Sequence, residues 1–277
     1  MEEGMKLTYI DIQVSGDGVV VVSHDPSSLR CFGVHHAITS TPYYGVLDKL
    51  ETADKFKERM PTFKELAELF ASSSDYSNVQ LMLDVKRTNE PWVISKVVEV
   101  LKDVNPDMTG FWAKRMALGI WREDVLAAAE KDAPELPIVF IGVSLRLARK
   151  FMHHKQVAGL SVHHASLNLP GGDSLIKDAR VNGKLIYSWT VNSPAAMKWA
   201  VSANLDGIVT DHPDVYTRFI DGITQKEIDT IYSASAPHSF FTWKELWIQF
   251  PLIYVLAAFY FTLATFSNFI LPQRKKI

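Results

Sequence analysis

The chain is expected to adopt an α/β fold followed by a C-terminal membrane helix. Two observations carry the first half: short apolar runs alternate with amphipathic stretches up to residue 222, and they recur at the spacing of βα units. One carries the second half: an uncharged apolar run near the C-terminus is long enough to cross a bilayer. No G-x-G-x-x-G and no Walker sequence follows any strand-like run, so a dinucleotide or P-loop fold loses its usual support. Parallel strands in a doubly wound sheet or in a (β/α)8 barrel both remain open at this point.

Residues 7–13 and 19–23 read as one strand with a hairpin-like extension. Further strands are expected at 80–85, 115–121, 137–142, 158–163, 184–191 and 206–210. Thr62 and Glu65 have the spacing of a capping box, and Phe63, Leu66, Ala67 and Phe70 follow at i, i+3, i+4 and i+7, which predicts a helix. Val93, Val97, Val98 and Leu101 mark a second apolar face between Pro91 and Leu101, and 195–201 and 213–220 behave alike. Counted this way there are seven βα units, so the expectation is a TIM-type barrel lacking its first βα unit. The expected domains are a barrel over 1–222, a linker over 223–245, a membrane-embedded helix over 246–271 and a basic tail over 272–277.

The membrane segment rests on Phe250 to Leu271, 22 residues without a charge, with Trp243, Trp247, Tyr254 and Tyr260 suited to an interfacial belt. Arg274, Lys275 and Lys276 follow it. The N-terminus has no basic-then-apolar signal pattern, so the barrel is expected on the cytoplasmic side. The basic tail prefers that side too, which a re-entrant helix allows, whereas a single span would put the barrel in the lumen.

Composition narrows the function classes. Of 277 residues 47% are hydrophobic and 11% aromatic, far too many for a solvated coil. Lys and Arg number 29 against 31 Asp and Glu, which gives no general attraction to nucleic acid, and none is expected as a partner. The single cysteine, Cys31, forbids an intramolecular disulfide and a Cys-based zinc site.

In a barrel the chemistry sits at the C-terminal ends of the strands. Those ends carry Asp11, Ser23-His24-Asp25, Asp84-Val85-Lys86, His163-His164, Trp189-Thr190-Val191-Asn192 and Thr210-Asp211. Asp11 and Asp84 can grip a hard divalent cation, Ca²⁺ or Mg²⁺, through oxygen. His24 can move protons near neutral pH and Lys86 can neutralise a phosphate oxygen. His163 and Trp189 are placed to contact substrate. Taken singly, each has a blander explanation: a strand Asp is commonly a turn or edge residue, His-Asp-Pro is commonly a turn, and Trp189 can be core. His35-His36 and His153-His154 are adjacent pairs whose side chains diverge, which is poor ligand geometry.

In combination the segments resemble the glycerophosphodiester phosphodiesterase family over about residues 4–220. The matching pieces are Asp11-Ile12-Gln13, the run from Asp17-Gly18 to Ser23-His24-Asp25, and Met60-Pro61-Thr62-Phe63-Lys64-Glu65-Leu66. They continue with Leu83-Asp84-Val85-Lys86, Trp189-Thr190-Val191-Asn192 and Asp206-Gly207-Ile208-Val209-Thr210-Asp211. The stretches around Leu81–Asn89 and Gly159–His163, with the C-terminal apolar anchor, look most similar to the fungal phosphatidylglycerol phospholipase C branch. The resemblance implies a metal-dependent TIM barrel that hydrolyses glycerophospholipid phosphodiesters, with His24 in proton transfer, Asp11 and Asp84 on the cation and Lys86 on phosphate. An endoplasmic reticulum or lipid-droplet membrane is the location it implies.

Two departures accompany the resemblance. The family's opening His-Arg-Gly strand and the helix after it have no counterpart, and Tyr9 stands where the family has the first carboxylate of its Glu-x-Asp pair. The alternative expectation is therefore a catalytically impaired pseudoenzyme that binds phosphoglycerol lipids or a partner without turnover.

Overall fold

The computed structural model describes residues 6–77 and 79–222. Eight strands form one sheet: β1 Lys6–Val14, β2 Val20–Val22, β3 Val79–Val85, β4 Met116–Ile120, β5 Ile138–Gly142, β6 Val157–His163, β7 Leu185–Trp189 and β8 Gly207–Ile208. Their order is β2-β1-β3-β4-β5-β6-β7-β8. Every neighbouring pair is parallel except β1 and β2, which form the expected hairpin with Ile12 opposite Val22. Among the described residues the ladder ends at β2 on one side and β8 on the other, so the sheet is open.

The sheet nevertheless curls on itself. The Tyr9 hydroxyl of β1 lies 2.8 Å from Ser161 Oγ of β6. Four strand-to-strand steps separate β1 from β6. At ~4.8 Å each, a flat sheet would hold them ~19 Å apart, far more than a Tyr and a Ser side chain span together. The curl sets the odd-numbered side chains of β1 inside and leaves the even-numbered ones to pack outward. Ile12, Leu83, Leu118, Ile120, Phe140, Leu160 and Ile186 on that outer register are fully buried.

Helices connect the strands: α1 Leu29–Phe32, α2 Phe63–Ser72, α3 Val93–Val104, α4 Glu123–Asp132, α5 Leu145–Met152, α6 His164–Leu167 and α7 Gly172–Val181. The capping box expected at Thr62 is present: Thr62 Oγ1 accepts from Glu65 N at 3.2 Å, and Glu65 Oε2 accepts from Thr62 N at 2.9 Å. The long connection from β2 to α2 has a small core of its own, formed by Val21, Ile38, Tyr43, Leu47 and Met60. Asp17 ties it to the β1–β2 turn by accepting from Tyr43 N at 2.7 Å and Tyr44 N at 3.2 Å.

The chain divides into two compact units, one of residues 1–191 with 205–211, the other of 192–204 with 212–277. The second holds α8 Pro194–Ser202 and α9 Pro213–Asp221. Both begin with a proline in the first turn, where its missing N–H costs nothing, and Ser193 caps α8 by accepting from Ala196 N at 3.2 Å.

All eight expected strands are present, with shifted ends. The largest changes are at β7 and β8, each three residues shorter than the expected 184–191 and 206–210. The backbone beyond remains bonded all the same: Val209 N donates to Ser188 O at 2.8 Å and Val191 N to Val209 O at 2.9 Å. The linker 223–245, the apolar segment 246–271 and the tail 272–277 lie outside the described residues. Among the described residues no helix is long and apolar enough to cross a membrane.

Candidate active site

Register decides which strand residues meet inside the curl. Asp11 stands opposite Asp84 in the β1–β3 ladder, and Asp84 opposite Gly119 in β3–β4. Gly119 leaves the space beside Asp84 to Ile141 of β5: a Cβ there would lie 2.5 Å from Ile141 Cδ1, which would have to turn aside. Lys86 follows β3 on the same register as Asp84 and reaches back between the two carboxylates. Its Nζ is 2.7 Å from Asp11 Oδ1 and 2.9 Å from Asp84 Oδ2.

The turn that carries Lys86 is fixed by Asn89, a fully enclosed amide. Asn89 Oδ1 accepts from Val14 N at 2.9 Å, and its Nδ2 donates to Ile12 O at 2.9 Å and Lys86 O at 3.1 Å. One side chain thus satisfies three backbone groups that would otherwise be costly to bury, and ties the end of β3 to β1.

The second oxygen of Asp84 is also taken. Trp121, just past β4, donates its Nε1–H to Asp84 Oδ1 at 2.6 Å. The Trp121 ring packs edge-on against Trp189, 5.5 Å between centroids, and Trp189 packs edge-on against His163 at 4.8 Å. A charged cluster of Asp11, Lys86 and Asp84 is in this way joined through Trp121 to an aromatic wall of Trp189 and His163. A cavity of about 620 Å³ lies at the opposite, N-terminal ends of the strands, lined by Glu130, Pro134, Glu135, Pro137, Lys155 and Gln156.

Electrostatics follow from this enclosure. Burial raises the Asp84 carboxyl above its ordinary range, and the nearby Asp11 adds to that against the pull of Lys86 and the hydrogen bonds. Burial alone would lower Lys86, but Asp84 and Asp11 outweigh it, and the net shift is upward. Lys86 is therefore an ammonium at neutral pH. His163 is pushed down to about 4, first by burial and then by His164, so its ring is neutral. Its Nδ1 accepts from Ala165 N at 3.3 Å. Burial raises the Tyr9 phenol well above its usual value, and its hydroxyl is paired with Ser161.

Of the expected site residues, the structure brings together Asp11, Asp84 and Lys86, and sets Trp189 beside His163. Among the described residues no hydrogen bond or ion pair joins His24 to them, but its neighbour Ser23 donates its backbone N–H to Asp11 O at 2.9 Å, so His24 stands on the loop at the edge of the cluster. His24 is 63% exposed by side chain, and its Nδ1 pairs with its neighbour Asp25 at 2.8 Å. Asp25 is in turn held by Arg30. Gln13, an inward residue of β1, donates through Nε2 to the carbonyls of Ser23 and Asp25, which moors this loop beside the cluster. Trp121, Asn89 and Gln13 were absent from the sequence-based set. A residue directly after an apolar strand and on the inward register is the signal that would have found Trp121.

The two carboxylates on neighbouring strands are the donor type a hard cation takes. Both are already satisfied by the Lys86 ammonium, however, and Tyr9 is a neutral phenol bonded elsewhere. Among the described residues no three His, Cys, Asp or Glu side chains converge. These residues by themselves do not fit a divalent-cation site.

A curled parallel sheet presents an ammonium between two carboxylates at its strand ends, with an aromatic wall alongside, an arrangement of the barrel type that suits an anionic ester. The chain belongs to the glycerophosphoryl diester phosphodiesterase family, whose model matches residues 1–215. That membership makes it a phosphoric diester hydrolase by class. It is 24% identical over 225 residues to a glycerophosphodiester phosphodiesterase of Caldanaerobacter subterraneus, covering 79% of this chain and 88% of that one. It is 21% identical to Lysophospholipase D GDPD1 of Homo sapiens over 256 residues, covering 78% and 77%. Among solved structures, an Oleispira antarctica phosphodiesterase in complex with the product sn-glycerol-3-phosphate superposes with a TM-score of 0.64 at 22% identity, covering 79% and 86%. A glycerophosphodiester phosphodiesterase from Parabacteroides distasonis gives 0.61 at 21%, covering 77% and 82%.

Proposed function

We propose that the chain hydrolyses glycerophospholipids in the phospholipase C sense, converting phosphatidylglycerol to diacylglycerol and glycerol phosphate at the Asp11–Lys86–Asp84 mouth. The single observation that carries this is Lys86 Nζ, an enclosed ammonium at the strand ends where an anionic phosphodiester would lie. There it meets a non-bridging phosphate oxygen and stabilises the charge that grows in the transition state. The hydroxyl of the glycerol headgroup attacks phosphorus and releases its proton to water, and the diacylglycerol oxygen leaves with a proton from His24. Water then opens the cyclic phosphate, returning a proton to His24 while the freed glycerol oxygen takes one from solvent. His24 supplies the proton; Asp25 holds its Nδ1 and leaves Nε2 to do so.

The branch-level similarity around Leu81–Asn89 supports the phospholipase C sense, and the 22 uncharged residues from Phe250 to Leu271 support a membrane anchor. With such an anchor the barrel works at the cytoplasmic face of an endoplasmic reticulum or lipid-droplet membrane. A second reading, cleavage on the headgroup side of phosphorus, is favoured by the lysophospholipase D names of the human relative and of one from Mus musculus.

The test is product analysis with the full chain on vesicles of phosphatidylglycerol and, separately, of lysophosphatidylcholine. Diacylglycerol and glycerol phosphate are the expected products. Lysophosphatidic acid from the second vesicle, with nothing from the first, would replace the phospholipase C reading with the other. Vesicle binding without any product would establish the non-hydrolytic alternative.

A further inference from the structure

We infer that Trp121 is the positioning residue of the site, its indole N–H setting the orientation of the Asp84 carboxylate that faces Lys86. The geometry is a clamp with one donor on each oxygen: Trp121 Nε1 on Oδ1 at 2.6 Å and Lys86 Nζ on Oδ2 at 2.9 Å. Asp84 is only 4% exposed, so water is not at hand to replace either donor. Rotating the carboxylate breaks at least one charge-assisted bond. Asp11, by contrast, is held by Lys86 alone among the described residues and is more open to solvent.

The indole is itself braced. It packs on Trp189, whose own Nε1 donates to Ser161 O at 3.1 Å. An indole is a donor without an acceptor, so the Trp121 nitrogen can meet a carboxylate but cannot compete with one for Lys86. Packing alone would be served equally by a phenylalanine. The bond to Asp84 would not, and this separates a positioning role from a pocket wall. Trp121 acts on the ammonium and the phosphate only through Asp84.

Only the rate measurement rests on the hydrolase reading. In ¹⁵N-labelled full chain in micelles, the seven tryptophans give one indole cross-peak each, and Trp121→Phe assigns the one concerned. Asp84→Asn is expected to shift that peak upfield, because the acceptor loses its charge. On phosphatidylglycerol in mixed micelles, Trp121→Phe is expected to lower kcat about 10- to 100-fold at unchanged KM, the size of a loss of orientation. An unmoved indole peak in Asp84→Asn overturns the assignment outright. So does an unchanged kcat in Trp121→Phe, or a raised KM with kcat kept, which would make the ring a wall only. If Trp121→Phe does not fold, Trp121→Tyr takes its place in both measurements. A wild-type chain without turnover would sink the hydrolase reading, and the indole peak alone would then decide the role of Trp121.

Discussion

The two faces of the same strands differ as much as any two regions of the molecule. Outward residues towards the C-terminal ends of β1, β3 and β4 are Ile12, Leu83, Val85, Leu118 and Ile120, all buried and all hydrocarbon. Inward residues towards the C-terminal ends of the same strands are Tyr9, Asp11, Gln13, Asp84 and Gly119, polar or without a side chain, while Leu7, Met82 and Ala117 keep that face apolar further back. The outer face needs only volume and apolarity, so it is held by burial of roughly 25 cal/mol per Å². The inner face forgoes that gain and holds itself by named pairs: Lys86 with two carboxylates, Trp121 with Asp84, Tyr9 with Ser161. A polar residue in an otherwise hydrocarbon strand is therefore where function is to be sought.

The sharpest break of this contrast is at Lys86. Lys86→Met removes the ammonium between Asp11 and Asp84, and hydrolysis is expected to fall ~10²- to 10³-fold, the usual size for one lost electrostatic donor. The same variant leaves two carboxylates without their counter-ion, so it is also expected to cost about 3–5 kcal/mol in urea unfolding. It should bind Mg²⁺ or Ca²⁺ more tightly than wild type by calorimetry, because the cation no longer competes with the lysine. An unaltered cation affinity would mean that Lys86 is not what occupies the space between the carboxylates.

Leu83→Ala, one residue from Asp84 but on the other face, is expected to cost about 2–5 kcal/mol of stability. The activity per folded molecule should survive, since no inner pair is touched. A rate loss beyond the unfolded fraction would show that the two faces are not separable. Smaller again is Thr62→Ala at the start of α2, expected to cost ~1 kcal/mol through loss of the N-cap, without change in rate.

The outer face was legible in the sequence because its demands are local: a run such as Leu81-Met82-Leu83 reads as a strand wherever it falls. Asp11, Asp84 and Lys86 were legible because a charged residue at the end of such a run is conspicuous. Trp121 was not, because a tryptophan beside Leu118-Gly119-Ile120 reads as one more core residue until Asp84 is seen beneath it. The Tyr9–Ser161 bond was not, because it joins strands four steps apart in the sheet, and only the curl brings them together. The exposure of His24 and its pairing with Asp25 were not, because they are set by the loop that Gln13 moors rather than by strand register.

The mildest probe at neutral pH is His163, at the aromatic end of the inner face. Its folded value of about 4 lies below the ~6.5 of an ordinary histidine, with burial the first cause and His164 the second. The unfolded chain therefore takes up a proton as pH falls through ~6.5, whereas the folded chain refuses it until about 4. The stability contributed by neutral His163 is fully present above ~6.5 and is lost as pH falls through that window to about 4. His163→Gln retains a polar side chain of similar reach but cannot titrate, so any steric offset between the two proteins is constant with pH. The gap in unfolding free energy between wild type and His163→Gln is expected to shrink steadily from pH 7 to pH 4, and the His163 ring resonance to titrate near 4. A gap that stays flat, or a ring that titrates near 6.5, would place His163 in water. The wall it forms with Trp189 would then be open where the structure has it closed.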